Sequence, residues 1–338
     1  GPGTVDISPN PTVISPCNPN CVDNDGDGYH GETGCPTGLD CDDNNDQKHP
    51  GMIETCNGID DNCNNQVDEG YTCLNTCECN SCSGCEASLS DASCDVVLLT
   101  ADITDYNDGT CINFLTNNKI FDCQLRTIDG TDKLLSYGIY LSGISGNTIR
   151  NCNIRDFWFG IYPYSSTNSL IENNNINDNI AGIYLKSSSD NSIVANNAND
   201  NQFGIYLKSS SYNTVADNIA NNNYFDGIYL YSSSNGNTID GNKVNYNDNG
   251  IYLQLYSNNN DITNNIGTSN NGHGLYFRGS RNNLIEDNEF CGNGYDIYNL
   301  LYDYLDKNYG YDNVCDTIYH IWDDDGIKTE CTYECTGT

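Results

Sequence analysis

Asp23, Asp25 and Asp27 alternate along a short stretch that also carries Gly26 and Gly28 and ends in Tyr29. Side-chain oxygens at positions 1, 3 and 5, a glycine at 6 and a backbone carbonyl at 7 make the first half of a calcium loop. Position 12, where an EF-hand places a bidentate Glu, is Gly34, so the stretch is not an EF-hand. The missing carboxylate could come from Asp40, Asp42, Asp43 or Asp46. A second alternating run follows in Asp60, Asn62, Asn64, Gln66, Asp68 and Glu69. Hard oxygen donors select calcium over zinc or copper, so two or more calcium ions are expected. A solvated acidic loop is the alternative, and the placed glycines and the doubled pattern argue against it.

A second constellation is Gly272-His273-Gly274 with Arg278 downstream. Polysaccharide hydrolysis needs two carboxylates at a defined separation, and Asp261 is the one obvious acidic neighbour of His273. Elimination from a uronate needs basic residues converging on a groove. Lys186, Lys208 and Arg278 share one repeat position, yet Tyr164, Tyr231 and Gln254 interrupt them. Gly274 is also a repeat glycine, and His273 fills a turn slot that holds Asp226 and Asn249 in earlier copies. The expectation is therefore no catalytic site, with a polysaccharide lyase or hydrolase as the alternative.

The elements that position these residues follow from a repeat. Gly-Ile-Tyr starts at Gly138, Gly160, Gly182, Gly204, Gly227 and Gly250, then recurs as Gly274-Leu275-Tyr276 and Asp296-Ile297-Tyr298, at intervals of 22 to 24 residues. Such a period marks a solenoid. Gly-Ile-Tyr-Leu alternates like a strand, and the abundance of Asn, Ser, Gly and Asp opposes helix. An all-β, right-handed parallel β-helix of about 8–9 coils is expected, with Ile and Leu inside. Asn columns at Asn147, Asn191, Asn213, Asn237, Asn260 and Asn283, and at Asn174, Asn196, Asn218, Asn242, Asn265 and Asn288, are expected to hold turns. Cys123 and Cys152 fall in the second column on adjacent coils, ~4.8 Å apart, which suits a disulfide. Tyr140, Tyr162, Tyr184, Tyr206, Tyr229, Tyr252, Tyr276 and Tyr298 should form an outward ladder. That ladder either packs on itself or offers a strip to a sugar chain or another subunit.

The chain has 338 residues and a net charge of −34, from 13 basic against 47 acidic residues. Nucleic acid and anionic membrane are excluded as partners, and no apolar run reaches membrane-spanning length. Nineteen cysteines point to an oxidising, extracellular setting. Twelve lie in the first 94 residues. The run Cys77, Cys79, Cys82, Cys85 has metal-ligand spacing, but such company favours disulfides. No signal peptide opens the chain, as in a mature protein. Four regions are expected: a Pro-rich arm at 1–16, a Cys-rich, loop-dominated calcium-binding domain at 17–90, the β-helix at 91–310 and a disulfide-bearing cap at 311–338.

Asp25-Gly26-Asp27-Gly28-Tyr29, Asp40-Cys41-Asp42-Asp43, Pro50-Gly51, Glu54-Thr55-Cys56-Asn57-Gly58-Ile59-Asp60-Asp61-Asn62-Cys63 and Val67-Asp68-Glu69-Gly70 resemble the MopE-type metal-binding motif of secreted bacterial and archaeal proteins. Asn64-Asn65 departs from its usual Asp-Gly. The family name implies copper, whereas the residues favour calcium. Residues 91–338 resemble secreted β-helix proteins of the NosD-like, pectate-lyase-like group, common in archaeal surface proteins; the entry Val96–Ile103 and the close Cys331-Thr332-Tyr333-Glu334-Cys335 carry that likeness. The resemblance implies a fold more than an activity. The resulting expectation is a calcium-stabilised surface protein, structural or adhesive, able to assemble with itself or hold surface glycans.

Overall fold

The computed structural model describes residues 21–31, 39–67, 73–300, 308–319 and 331–335. The 1–16 arm, Asp68, Glu69 and most of the tail lie outside them. The chain divides into two compact units, Gly1–Leu74 and Asn75–Thr338. That division falls between Leu74 and Asn75, where the sequence reading expected 90/91. Thr76–Cys79 is already a strand, paired in parallel with Val96–Leu99. The helix that follows, Cys82–Ser90, is capped by Ser81, whose Oγ accepts from Gly84 N–H. Disulfides Cys77–Cys94, Cys79–Cys85 and Cys82–Cys111 tie this cap to the first coils, so that cysteine run is structural.

Apart from the Cys82–Ser90 helix, the described residues of the second unit form an all-β right-handed parallel β-helix. Eleven strands run from Thr76–Cys79 to Tyr309–Tyr311 in one sheet, and ten from Thr110–Phe114 to Ile318–Tyr319 in the second. Shorter pairings such as Asn153–Arg155 with Asn175–Asn177 form the third side. About ten turns result, more than the 8–9 expected. The excess lies at the two ends, where sequence outside the Gly-Ile-Tyr beat still pairs; Ile318 pairs with Ile297, so no break falls at 310/311. Among the described residues no helix is long and apolar enough to cross a membrane.

Register follows the beat: Ile183 pairs Ile205, Tyr184 pairs Tyr206 and Lys186 pairs Lys208. Ile and Leu of each copy are fully buried. The repeat glycine is required by a close approach. A Cβ on Gly204 would sit 2.6 Å from the Gly227 carbonyl oxygen.

The Asn columns act differently from expectation. The left-handed turn residue is the one before each Asn, as at Ala195, Asp217 and Gly241. The Asn itself points inward and is buried. Asn218 Nδ2 donates to Ile193 O (2.8 Å), Ala216 O (2.9 Å) and Asn242 Oδ1 (3.0 Å). The ladders thus satisfy buried backbone carbonyls at corners where strand pairing stops. In a third ladder, Asn179, Asn201, Asn223, Asn247 and Asn270, and a serine ladder, Ser166, Ser188, Ser210, Ser234 and Ser257, the side-chain oxygen of each rung accepts the backbone N–H of the rung before it. Cys123 and Cys152 are disulfide-bonded with Cα atoms 4.7 Å apart.

Candidate functional site

The outer face of the ten-stranded sheet carries the tyrosine ladder. Ring centroids are 5.3 Å apart for Tyr140–Tyr162, 5.0 Å for Tyr162–Tyr184 and 4.7 Å for Tyr184–Tyr206 and Tyr206–Tyr229. The series continues through Tyr252, Tyr276 and Tyr298 at 5.0, 4.4 and 5.1 Å. The rings point outward, but stacking covers them: Tyr162, Tyr184, Tyr229 and Tyr252 are buried. They do not form the open strip expected, and a ligand would meet their edges and hydroxyls. Burial raises the phenol of Tyr184 to about 12 and lifts Tyr162, Tyr206, Tyr229 and Tyr252 further.

Lys186, Lys208 and Arg278 line one edge of this face. The interruptions seen in sequence are filled by ring contacts: Lys186 Nζ lies 5.4 Å from the Tyr164 centroid, and Lys208 Nζ the same distance from Tyr231. A chain of net charge −34 thus carries a local positive border here.

The residue before each repeat glycine forms a parallel column. It runs Tyr137, Phe159, Ala181 and Phe203, then turns polar at Asp226, Asn249 and His273. These are strand residues, not turn residues: Asp226–Tyr231, Asn249–Gln254 and His273–Arg278 are the strands they open. Their side chains connect. His273 Nδ1 lies 2.7 Å from Asn249 Oδ1, and Asn249 Nδ2 donates to Asp226 Oδ1 at 2.8 Å. An amide oxygen only accepts, so His273 carries its proton on Nδ1 and keeps a lone pair on Nε2. Its ring stacks on Tyr276 at 4.5 Å and meets Tyr298 edge-on at 4.5 Å. Burial lowers the imidazole pKa, against the pull of Asp248, so the ring is neutral at pH 7.

Asp226 is 4 % exposed. Burial raises its carboxyl to about 7; the Asn249 hydrogen bond opposes this and the Asp248 charge adds to it. A carboxyl raised on folding favours the fold while protonated. That stability is complete below about pH 4 and is lost as pH rises toward 7. Asp226→Asn should therefore match the parent near pH 4 and exceed it at pH 8 by on the order of 4 kcal/mol. Urea midpoints of the two proteins across this range check it.

Sequence reasoning missed Asp226, Asn249 and Asp248. The residues lining one cavity of this face are Phe203, Phe225, Asp226, Tyr229, Asp248, Asn249 and Tyr252. Asp261, taken as the acidic neighbour of His273, lies on a strand of the other long sheet, Asp261–Thr263. The signal available was the change of the pre-glycine column from aromatic to polar over three consecutive copies. Beside this face, the turns carry Asp132, Asp156, Asp178 and Asp200 along a groove of about 640 Å³.

In the first unit, Asp23, Asp25 and Asp27 offer carboxylate oxygens within 4.8 Å of one another. Asp23 uses its oxygens on Gly26 N–H (2.6 Å) and Gly28 N–H (3.1 Å). The Oδ2 atoms of Asp25, Asp27 and Asp40 are buried without hydrogen-bond partners. Burial, then the charges of Asp27 and Asp40, raise Asp25. The other expected ligands divide: Asp42 pairs with Lys48 (3.4 Å), Asp43 accepts from Asn24 (2.5 Å) and Asp46 from Gln47 (3.4 Å). Asp60, Asn62 and Asn64 hold the backbone of their own loop, and Asn64 Oδ1 takes the Gln66 N–H there. The sulfurs of Cys41 and Cys63 form a disulfide and are not thiolate donors. The donor set is hard oxygen, which fits a cation such as calcium and not copper.

Among solved structures, the chain is similar to the A-module of mannuronan C-5 epimerase AlgE4 from Azotobacter vinelandii. The two share 18% identity over 67% of this chain and 69% of that one, with a TM-score of 0.56. The pectate lyase Pel9A gives 17% identity, 71% and 74% coverage and a TM-score of 0.55. An alginate lyase from Paenibacillus sp. str. FPU-7 gives 15%, 72%, 95% and 0.51. Identities this low establish the fold alone. No curated protein matches the chain. Residues 40–69 match the family model of a MopE-type metal-binding motif. Residues 126–244 and 226–317 match the right handed beta helix region, more than half of the sequence, and the chain belongs to that family.

Proposed function

We propose that this is a polysaccharide-active β-helix working outside the cytoplasm, with the outer face of the ten-stranded sheet as its working surface and a uronate polymer as its substrate. One observation carries the reading: the Asp226–Asn249–His273 chain presents a neutral imidazole among tyrosines, at the opposite end of its strand from Arg278. Lyases and epimerases of uronates share a first step, removal of the proton at C5. A neutral imidazole suits the base. Arg278 would neutralise the sugar carboxylate, and Tyr252, kept protonated by burial, would donate a hydrogen bond to the developing charge, with the Tyr276 hydroxyl beside it. Asp226 and Asn249 act as positioning residues that hold the tautomer. The solved structures similar in fold include epimerases and lyases of such polymers, and the disulfides suit an oxidising compartment. The structural or adhesive role, our first expectation, draws support only from the solenoid itself. The metal of the amino-terminal unit is calcium on this reading.

The test is a panel of alginate, polymannuronate and pectate incubated with the protein and calcium. Unsaturated uronate ends, or solvent deuterium entering at C5, are the expected products. Neither product from any polymer, with no measurable binding, would overturn the reading.

A further inference from the structure

The first loop and the second alternating run share one backbone. Asp23, Asp25, Asp27 and Tyr29 correspond to Asp60, Asn62, Asn64 and Gln66. Left-handed residues stand at the same two places, Gly26 (φ 87°) and Gly28 (φ 95°) in one, Cys63 (φ 61°) and Asn65 (φ 69°) in the other. The leading aspartate spans the loop in both: Asp23 accepts from Gly26 and Gly28, Asp60 from Asn64 (3.2 Å) and Asn65 (2.7 Å). The next two side chains repeat the same bonds. Asp25 Oδ1 takes Asp27 N–H at 3.3 Å and Asp27 Oδ1 takes Tyr29 N–H at 2.8 Å. Asn62 Oδ1 takes Asn64 N–H at 3.2 Å and Asn64 Oδ1 takes Gln66 N–H at 2.8 Å.

Their chemistry differs. The first loop holds three carboxylates, and Asp25 and Asp27 keep their second oxygens buried and unpaired. Asp40 is independent of that loop and only 4 % exposed; its Oδ1 takes Asp42 N–H at 2.8 Å and its Oδ2 is likewise buried and unpaired. An unpaired buried carboxylate oxygen is unfavourable, and a hard divalent cation between Asp25 and Asp27 would satisfy both; the charge of Asp40 acts on Asp25, so Asp40 stands near enough to complete the set. In the second loop amides replace two of the carboxylates, and among the described residues no carboxylate oxygen there is buried without a partner.

We infer that the two loops are one device used twice: Asp23, Asp25 and Asp27, closed by Asp40, form the tight calcium site, and the amide loop at Asp60, Asn62 and Asn64 takes calcium at least tenfold more weakly. This rests on calcium being the metal of the unit. Calorimetric titration of the chelator-stripped full chain with calcium chloride tests it. Two affinity classes at least tenfold apart are expected. Asp40→Asn should weaken the tight class by about tenfold or more and spare the weak one. The double substitution Asn62→Asp with Asn64→Asp, which restores the carboxylates on an unchanged backbone, should tighten the weak class by about tenfold or more. Equal affinities, or a double variant unchanged from the parent, would overturn the inference while leaving calcium binding in place. No calcium binding at all would overturn the calcium reading and the inference together.

Discussion

His273→Gln is expected to lower turnover of a responsive uronate polymer by about 10²–10⁴-fold, the usual worth of a positioned general base. Glutamine preserves a polar group that can still reach Asn249, but it cannot take a proton. The fall should appear in kcat, with KM changed little, because the variant leaves in place the stacked tyrosines and Arg278 that the proposal assigns to sugar binding. The thermal midpoint should stay near the parent's, since His273 opens an exterior strand position and no core contact is lost. The pH profile is a second readout. Burial lowers the imidazole pKa, so the acidic limb of the parent's rate should lie below the ordinary histidine range. Asn249→Leu, which removes the oxygen facing Nδ1, should shift that limb and reduce kcat less than His273→Gln does. Initial rates on purified oligomers across pH decide both points.

Asn213→Ala is expected to destabilise the solenoid by on the order of 3 kcal/mol or more, from several buried groups left unpaired at ~1–3 kcal/mol each. Asn213 Oδ1 accepts from Asn191 N–H and Nδ2, both at 3.0 Å. Its Nδ2 donates to Ser188 O and Ser211 O, both at 3.1 Å, and to Asn237 Oδ1 at 3.0 Å. Alanine breaks all five in a site that is 1 % exposed. The damage should pass to neighbouring coils, because each rung aligns the next. Asn213→Ser should cost less: Ser169 occupies this column naturally, accepting from Asn147 N–H at 3.3 Å and donating to Thr167 O at 3.2 Å. Denaturant midpoints for the two variants measure the difference. Equal stability of parent and Asn213→Ala would remove the ladders from the account of the fold.

The fold was legible because its period is written in side chains that must stack. Ile183 over Ile205 and Tyr184 over Tyr206 leave one register open. Cys123 and Cys152 were placed by the same arithmetic. The coils at the two ends were not, because Thr76–Cys79 and Tyr309–Tyr311 pair without the tripeptide. The inward role of Asn218 escaped notice because Asn is equally at home in a left-handed turn, and the choice between the two depends on one residue of offset. The site was harder still. Three residues 23 and 24 positions apart, Asp226, Asn249 and His273, look like tolerant variation at a repeat position until their side chains are seen to bond in series. Likewise, Tyr164 and Tyr231 look like interruptions of the Lys186–Lys208 column in the sequence until they are seen beneath the ammonium groups.

The most direct measurement is a crystal structure of the His273→Gln protein with calcium and a short oligouronate. The sugar is expected across Tyr252 and Tyr276, with its carboxylate on Arg278 and its C5 facing position 273. An oligouronate bound elsewhere, for example along the Asp132–Asp200 groove, or none bound at saturating concentration, would contradict the account.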